Sequence, residues 1–174
     1  MELANTTNTI FSIGTIFIQI VSVLLIVMIF TKDRGNLAKW FSDESLVLVF
    51  IIMGGSMLGS LFYSEVIGYL PCLLCWYQRI AIYSVAIISL VSIIKKTSSD
   101  VWKYISTLSV LGFIVAIFHV FSRTTNSEIF DCSASGPSCL QELFTKFGYI
   151  DIPVMSLTAL GFVLILIINR RRFK

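Results

Sequence analysis

Charged and imidazole side chains are scarce in this chain of 174 residues. Asp, Glu, Lys and Arg make up 13% of it and hydrophobic residues 56%, whereas about a quarter of a soluble domain is charged. So few polar groups could not cover the chain in water, which excludes a soluble globular protein. The net charge of +3 is too small to indicate nucleic-acid binding, and a single histidine excludes a histidine-based metal site.

The leader MELANTTN contains no lysine or arginine. A secretion signal needs a basic amino-terminal region and a cleavage site of small residues, and neither is present. We therefore expect the apolar run that follows, which ends at Phe30, to stay in the protein as a membrane span.

Five apolar runs are long enough, or nearly so, to cross a hydrocarbon layer of about 30 Å as helices. Unpaired backbone groups are costly in hydrocarbon, so the runs are predicted to be helical. We therefore predict an all-α polytopic membrane protein. The runs cover Thr9–Phe30, Ser45–Phe62, Leu73–Ile94, Val101–Phe121 and Ile152–Ile168.

The basic residues predict the orientation, because loops rich in Lys and Arg stay in the cytoplasm. Of the thirteen basic residues, Arg123 and Lys146 lie in the loops of one side and Arg79 lies within a run. The others lie on the opposite side, so the amino terminus and all four cysteines are expected outside and the carboxyl terminus inside. These others are Lys32, Arg34, Lys39, Lys95, Lys96, Lys103, Arg170, Arg171, Arg172 and Lys174.

The first of two close cysteine pairs stands at the start of the third run. Pro71 is favoured at the first position of a helix, and Cys72 and Cys75 then share one face of the first turn. The positive end of the helix dipole and the C-x-x-C arrangement both favour ionisation of a thiol. A dithiol that ionises easily, in a small ring that opens and closes, suits exchange, so this pair is predicted to exchange thiols rather than to brace the fold.

Arg79 lies on the same helical face, four residues after Cys75. The helical rise puts it about 6 Å further along the span, where a charge is costly and usually marks a site. A fixed cation there could face a quinone oxygen that gains negative charge on reduction. The alternative is that Arg79 reaches the lipid headgroups or pairs with Glu65.

The second pair, Cys132 and Cys139, encloses Gly136 and Pro137, which favour a turn that could bring the sulfurs within bonding range. A structural disulfide that pins the loop is one interpretation. Beside an outward C-x-x-C, a relay that accepts electrons from a soluble protein thiol is favoured.

The residues after Cys139 repeat at helical spacing: Leu140, Leu143, Phe144 and Phe147. This predicts a short amphipathic helix, either lying in the outer membrane interface or capping the bundle. In the interface it would hold the loop cysteines close to the first pair.

His119 lies near the outer end of the fourth run. A lone histidine at such a place is typical of a hydrogen-bonded packing residue. It could also deliver a proton to a reduced quinone, because its charge changes near neutral pH.

Two motifs resemble those of the disulfide bond formation protein B (DsbB) family, especially its Gram-positive BdbC branch. The resemblance implies a four-helix bundle at 45–174 around a quinone, with an external cysteine loop at 122–151. An extra transmembrane helix and a cytoplasmic loop, at 1–44, precede the bundle. The motifs are Ser64-Glu65 followed by Pro71-Cys72-x-x-Cys75-Trp76-Tyr77-Gln78-Arg79-Ile80, and Ile152-Pro153-x-x-Ser156-Leu157.

The same resemblance implies a membrane thiol:quinone oxidoreductase of the bacterial plasma membrane, which supports disulfide formation in exported proteins. It implies Cys72–Cys75 and Cys132–Cys139 disulfides. Cys75 would lie next to the ring of menaquinone or ubiquinone, and Arg79 would contact it. A DsbA-like thioredoxin-fold thiol oxidase would be reoxidised at the loop pair, with Cys132 as the site of the mixed disulfide.

Three other functions fit parts of the pattern. An enzyme like vitamin K epoxide reductase uses similar chemistry, but its C-x-x-C follows the loop pair and here it precedes it. A non-catalytic membrane protein with two structural disulfides is the second. A four-cysteine zinc site is disfavoured, because outward thiols are poorly protected from oxidation and no ligand-like histidine accompanies them.

Overall fold

Six α-helices make up most of the computed structural model, which describes residues 2–31, 35–96, 100–126 and 137–173. Within these ranges the extended structure is limited to one bridge, between Lys146 and Ile150. The helices are α1 (Glu2–Phe30), α2 (Asn36–Asp43), α3 (Ser45–Glu65), α4 (Leu73–Lys95), α5 (Val101–Thr125) and α6 (Ile152–Phe173).

Five helices, namely α1, α3, α4, α5 and α6, are long and apolar enough to cross a membrane. Each contains one of the five predicted runs, which confirms the prediction of an all-α polytopic membrane protein. Helix α1 begins at Glu2 rather than at the predicted Thr9. The polar residues before Thr9 extend this helix toward its amino end. The Thr9 hydroxyl donates to the Asn5 carbonyl within this added part.

The bundle forms because α3, α4, α5 and α6 pack as consecutive neighbours and α6 also contacts α3. Helix α5 approaches α4 closely at Gly112, where a Cβ atom would lie 2.6 Å from that of Ala81. Helix α1 packs against α6, outside this bundle. The buried core includes Val49, Met53, Val85, Ile105, Ala116, Leu160, Val163 and Leu166.

The segment between α1 and α3, expected to be a loop, contains the short helix α2. It packs against α6, where the Asn169 amide donates to the Ala38 carbonyl at 2.9 Å. The nearby Arg170 guanidinium lies 4.5 Å from the ring centroid of Trp102. These contacts order the end of the molecule opposite the cysteines.

The predicted amphipathic helix after Cys139 is wrong, because residues 139–151 contain two turns, an irregular stretch and one bridge, but no helix. Phe147 and Gly148 have φ angles of 53° and 80°, and left-handed residues cannot continue a right-handed helix. The Phe144 ring stacks with Tyr63 and Tyr69, at centroid distances of 5.8 and 6.2 Å. Tertiary packing thus overrides the helical spacing.

Candidate functional site

The C-x-x-C pair lies at the amino end of α4. Cys72 is the cap residue, with an extended backbone, and its sulfur accepts a hydrogen bond from the Cys75 backbone N–H at 3.4 Å. Pro71 therefore precedes the cap instead of occupying the predicted first helical position. The two sulfurs are 2.9 Å apart and both cysteines are free thiols. A disulfide needs about 2.05 Å, so the Cys72–Cys75 bond stays a prediction, one that a small side-chain movement would satisfy.

Arg79 is buried at 9% exposure. Its Nε atom donates to the Ser60 hydroxyl at 2.9 Å and its Nη2 atom to the Ser60 carbonyl at 3.0 Å. The guanidinium also lies 5.2 Å from the Trp76 ring centroid. Among the described carboxylates, none lies within ion-pair distance of Arg79, and Glu65 instead accepts from Ser64. The structure therefore favours neither pairing with Glu65 nor extension to the headgroups.

A cavity of about 360 Å³ lies between α1, α3, α4 and α6. Its wall is mainly apolar, and α4 contributes Cys75, Gln78 and Arg79 to it. The Tyr63 hydroxyl of α3 also belongs to this wall, is buried, and has no hydrogen-bond partner among the described residues. An unpaired buried hydroxyl costs about 1–3 kcal/mol, which a polar group of a bound molecule could offset.

His119 of α5 joins the two cysteine sites. Its ring is 2% exposed, and Nε2 lies 3.8 Å from the Cys72 sulfur and 3.2 Å from the Cys139 carbonyl oxygen. Nδ1 lies 3.1 Å from the Gln78 amide nitrogen. Because an amide nitrogen only donates, Nδ1 accepts and the neutral ring carries its proton on Nε2. That proton faces Cys72 and Cys139.

The surroundings favour a thiolate at Cys72. The hydrogen bond with Cys75 is the largest influence and lowers the pKa of the Cys72 thiol well below its usual value; burial opposes this, and the hydrogen bond with His119 adds to it. A thiolate, rather than a thiol, is the nucleophile in disulfide exchange. The surroundings of Cys72 thus favour the nucleophilic form of its sulfur.

Cys139 is buried beside Cys72 and Leu74 and takes part in a disulfide. Its predicted partner, Cys132, lies outside the described residues, so the pairing and the role of Cys132 stay predictions. The segment is held to the bundle by an ion pair of 2.7 Å between Arg123 and Asp151. This ion pair joins the end of α5 to the start of α6.

The expectation that no ligand-like histidine accompanies the cysteines is wrong. The sulfurs of Cys72 and Cys75 and a ring nitrogen of His119 lie within 4.8 Å of one another. They could share one soft metal ion while both thiols are reduced. Disulfide formation would remove two of these three atoms, so the arrangement fits a redox pair better than a permanent metal site.

Sequence reasoning missed several residues of this site. Gln78 lies three residues after Cys75, on the same face of α4, so its spacing could have indicated it. Ser60 and Tyr63 come from α3, and no sequence signal pointed to them.

Comparison with known proteins identifies the family. Residues 42–168 match the family described as "Disulfide bond formation protein DsbB". The SPbeta prophage-derived disulfide bond formation protein B of Bacillus subtilis is 36% identical over 140 residues, which is 78% of this chain and 93% of that protein. A probable disulfide formation protein of Oceanobacillus iheyensis is 37% identical over 138 residues, 75% of this chain and 92% of its own.

Disulfide bond formation protein C of Bacillus subtilis is 36% identical over 114 residues, which cover 64% of this chain and 80% of that protein. No solved structure matches the chain. Two cysteines with their sulfurs 2.9 Å apart, at the end of a bundle of apolar helices, agree with the disulfide chemistry for which these relatives are named. The chain is therefore a multi-pass membrane disulfide oxidoreductase that belongs to the DsbB family of disulfide bond formation proteins.

Proposed function

We propose that the protein reoxidises an extracytoplasmic DsbA-like thiol oxidase and passes the electrons to a membrane quinone, either menaquinone or ubiquinone. The cysteines would face the outside of a bacterial plasma membrane, with the amino terminus outside and the carboxyl terminus inside. Residues 45–174 would form the catalytic bundle, and 1–44 an added helix and loop. The observation that supports this proposal most directly is the position of the C-x-x-C between two sites. On one side His119 contacts both the Cys72 sulfur and the Cys139 carbonyl oxygen, and on the other side Cys75 lines the 360 Å³ cavity.

The cavity fits a quinone in its chemistry. Ligand sites of this kind are mostly apolar with a few placed polar groups, and here Gln78, Arg79 and Tyr63 are among the polar residues that line the same cavity as Cys75. The Arg79 side chain is oriented by Ser60 before any ligand binds. A quinone bound there supplies a two-electron, two-proton acceptor.

The first two steps exchange disulfides. A partner thiolate attacks the Cys132–Cys139 disulfide, and the second partner thiol resolves the mixed disulfide, so the partner leaves oxidised and the loop pair is reduced. A loop thiolate then attacks the Cys72 sulfur of the Cys72–Cys75 disulfide, and Cys75 leaves as a thiolate beside Arg79. The second loop thiol restores the loop disulfide, which leaves Cys72 and Cys75 reduced. His119 lies where it could carry a proton between the pairs.

The last step oxidises the C-x-x-C. Cys72, as a thiolate that has already released its proton, forms the bond to the Cys75 sulfur again. Two electrons and the Cys75 proton leave the pair in this step, so that an acceptor in the cavity would take up the two electrons together with these two protons. Each exchange follows the relative reduction potential, with about 30 mV equivalent to 1.4 kcal/mol for two electrons. The alternative, a non-catalytic protein with two structural disulfides, gives no reason for a buried Arg79 or for a cavity beside Cys75.

A coupled assay tests this proposal. The protein in lipid would be mixed with a reduced DsbA-like thioredoxin-fold protein and a soluble quinone, and partner thiols and quinone absorbance would be followed together. We expect one quinone reduced per partner disulfide formed. Loss of partner thiols without quinone reduction, across ubiquinone and menaquinone analogues, would show a different electron acceptor and overturn the proposal.

A further inference from the structure

Helix α1 lies outside the region of family likeness, because the match begins at residue 42 and α1 ends at Phe30. It nevertheless contributes to the wall of the cavity that holds Cys75 and Arg79, through Ile10, Phe11, Gly14, Thr15 and Ile18. The site of the family core is therefore completed, in this chain, by a helix that the family pattern does not include.

Polar contacts hold α1 against α6 and the turn that precedes it. The Gln19 amide donates to the Thr158 hydroxyl at 3.1 Å and accepts from the Tyr149 hydroxyl at 2.8 Å. Near the outer end, the Lys146 ammonium donates to the Asn5 side chain at 2.6 Å. Hydrogen bonds to three different residues hold α1 at a fixed distance from the bundle. Helix α1 is therefore an ordered part of the cavity wall rather than a loosely attached span.

Phe11 reaches across the cavity to α3. Its ring centroid lies 5.5 Å from that of Tyr63, and a Cβ atom on Gly59 would lie 2.7 Å from the Phe11 ring. Only glycine at position 59 leaves room for this ring. The Phe11–Gly59 contact therefore closes the outer part of the space between α1 and α3.

One turn deeper, the same two helices leave a gap. Gly14 follows Phe11 by three residues on α1, and Gly55 precedes Gly59 by four on α3, so both lie further into the membrane. Both line the cavity, and a Cβ atom on either would have no heavy atom within 4 Å apart from its chain neighbours and the nearby backbone of its own helix. The neighbouring lining residues Ile18 and Ile51 are apolar. The gap thus offers an uncharged passage from the cavity between two spans.

We propose that α1 and α3 form a lateral passage for the isoprenoid tail of the quinone. Gly14 and Gly55 leave the space for the tail because they have no side chains, and Phe11 closes the passage on the outer side. This inference rests on the proposed function, since it assigns the ring of the quinone to the end of the cavity with Cys75 and Arg79. A tail must leave that end through apolar surface, and the α1–α3 gap provides it. The added helix would then select quinones by their tails.

The test fills the passage and measures binding directly. Gly14→Leu and, on the facing helix, Gly55→Leu place a side chain in open space, so the fold should be kept, as a thermal unfolding midpoint would verify. The matched control is Ile13→Phe, because Ile13 is 55% exposed on α1 and is not part of the cavity wall. Equilibrium binding to protein in lipid nanodiscs would be measured for a polyprenyl quinone and for the same ring without a tail.

We expect both leucine variants to bind the polyprenyl quinone at least about tenfold more weakly than the control, with tailless binding changed by less than about threefold. If the leucine variants bind both quinones more weakly by the same factor, or bind both as the control does, the proposed passage is wrong. The proposed function would still stand in either case, provided that the wild type binds quinone. If the wild type binds neither ligand, the proposed quinone function itself fails. Photo-crosslinking with a tail-labelled azidoquinone should mark α1 or α3, and label confined to the rest of the chain would also overturn the passage.

Discussion

The Nε2 atom of His119 lies 3.8 Å from the Cys72 sulfur. The same nitrogen is 3.2 Å from the Cys139 carbonyl oxygen, so one imidazole contacts both cysteine sites. These sites lie on different elements, the start of α4 and the segment before α6. The buried His119 of α5 brings the two elements together, and its hydrogen bond with Cys72 favours the charged form of that thiol.

Removal of the imidazole should raise the pKa of Cys72. In the reduced wild type, the Cys72 thiolate should persist as the pH falls well below the usual thiol range, because its hydrogen bonds lower its pKa. His119→Ala should move the titration midpoint upward, but not to the usual value, since the larger influence of Cys75 remains. Thiolate ultraviolet absorbance against pH, with Cys72→Ser as the blank, would measure it.

The matched control is Ser122→Ala, because Ser122 is buried one turn further along α5. Its titration should follow that of the wild type. An unchanged midpoint in His119→Ala would contradict the contact between His119 and Cys72.

Substitution of Arg79 should weaken quinone binding, and the effect should be larger when the positive charge is lost than when only the contact with Ser60 is lost. Arg79→Gln removes the charge and should raise the quinone KM by about tenfold or more, whereas Arg79→Lys keeps the charge but not the two-point contact with Ser60 and should be intermediate. Ser60→Ala removes only the hydroxyl partner and should have the smallest effect. A wild-type KM in Arg79→Gln, at saturating partner, would exclude a contact with the quinone.

The Arg123–Asp151 ion pair should contribute to stability. Both side chains are mostly buried, at 14% and 13% exposure, so Asp151→Asn should lower the free energy of unfolding by about 1–3 kcal/mol. The asparagine can still accept from the Val154 backbone N–H, which separates the ion pair from the helix cap. Unfolding in mild detergent, with Arg123→Gln and the double variant, would measure the coupling.

The exposed pair Lys103–Asp100 provides the comparison, because its side chains are 80% and 72% exposed. Lys103→Gln should change the free energy of unfolding by less than about 0.5 kcal/mol. Equal effects in the two pairs would show that burial does not set the difference.

Cys72→Ala separates the redox interpretation from the structural one. If the C-x-x-C exchanges thiols, this variant should keep the thermal unfolding midpoint of the wild type and lose partner oxidation. If the pair is a structural disulfide, the midpoint should fall and misfolded protein should accumulate. Thermal unfolding and the coupled assay on the same preparation would distinguish the two.

The spans could be predicted from the sequence because the bilayer imposes one strong constraint on composition. Helices α3, α4, α5 and α6 begin at Ser45, Leu73, Val101 and Ile152, the residues where the apolar runs begin. The start of α1 could not be predicted in this way, since the helix continues through polar residues that need no lipid. Hydropathy marks the part of a helix that can lie in lipid, whereas the helix itself can continue beyond that part.

Contacts between distant residues could not be predicted from patterns along the chain. The spacing after Cys139 was compatible with a helix, but Phe144 packs on Tyr63 and Tyr69 instead. His119 reaches Cys72 only because α5 packs closely on α4. The cavity wall formed by α1 depends in the same way on where that helix lies against α6. Cys72, Cys75 and Arg79, in contrast, lie close together in the sequence on one face of a helix. They could therefore be predicted as candidate site residues.

A single-turnover reaction without any partner protein tests the central claim most directly. The protein would be fully reduced, freed of reductant and mixed with quinone in lipid, and the quinol formed per protein would be counted together with the Cys72 and Cys75 thiols lost. Cys139→Ser should still reduce one quinone at Cys72 and Cys75, and Cys75→Ala should reduce none. Quinol formation by Cys75→Ala, or none by the reduced wild type with any quinone, would contradict electron transfer from this pair.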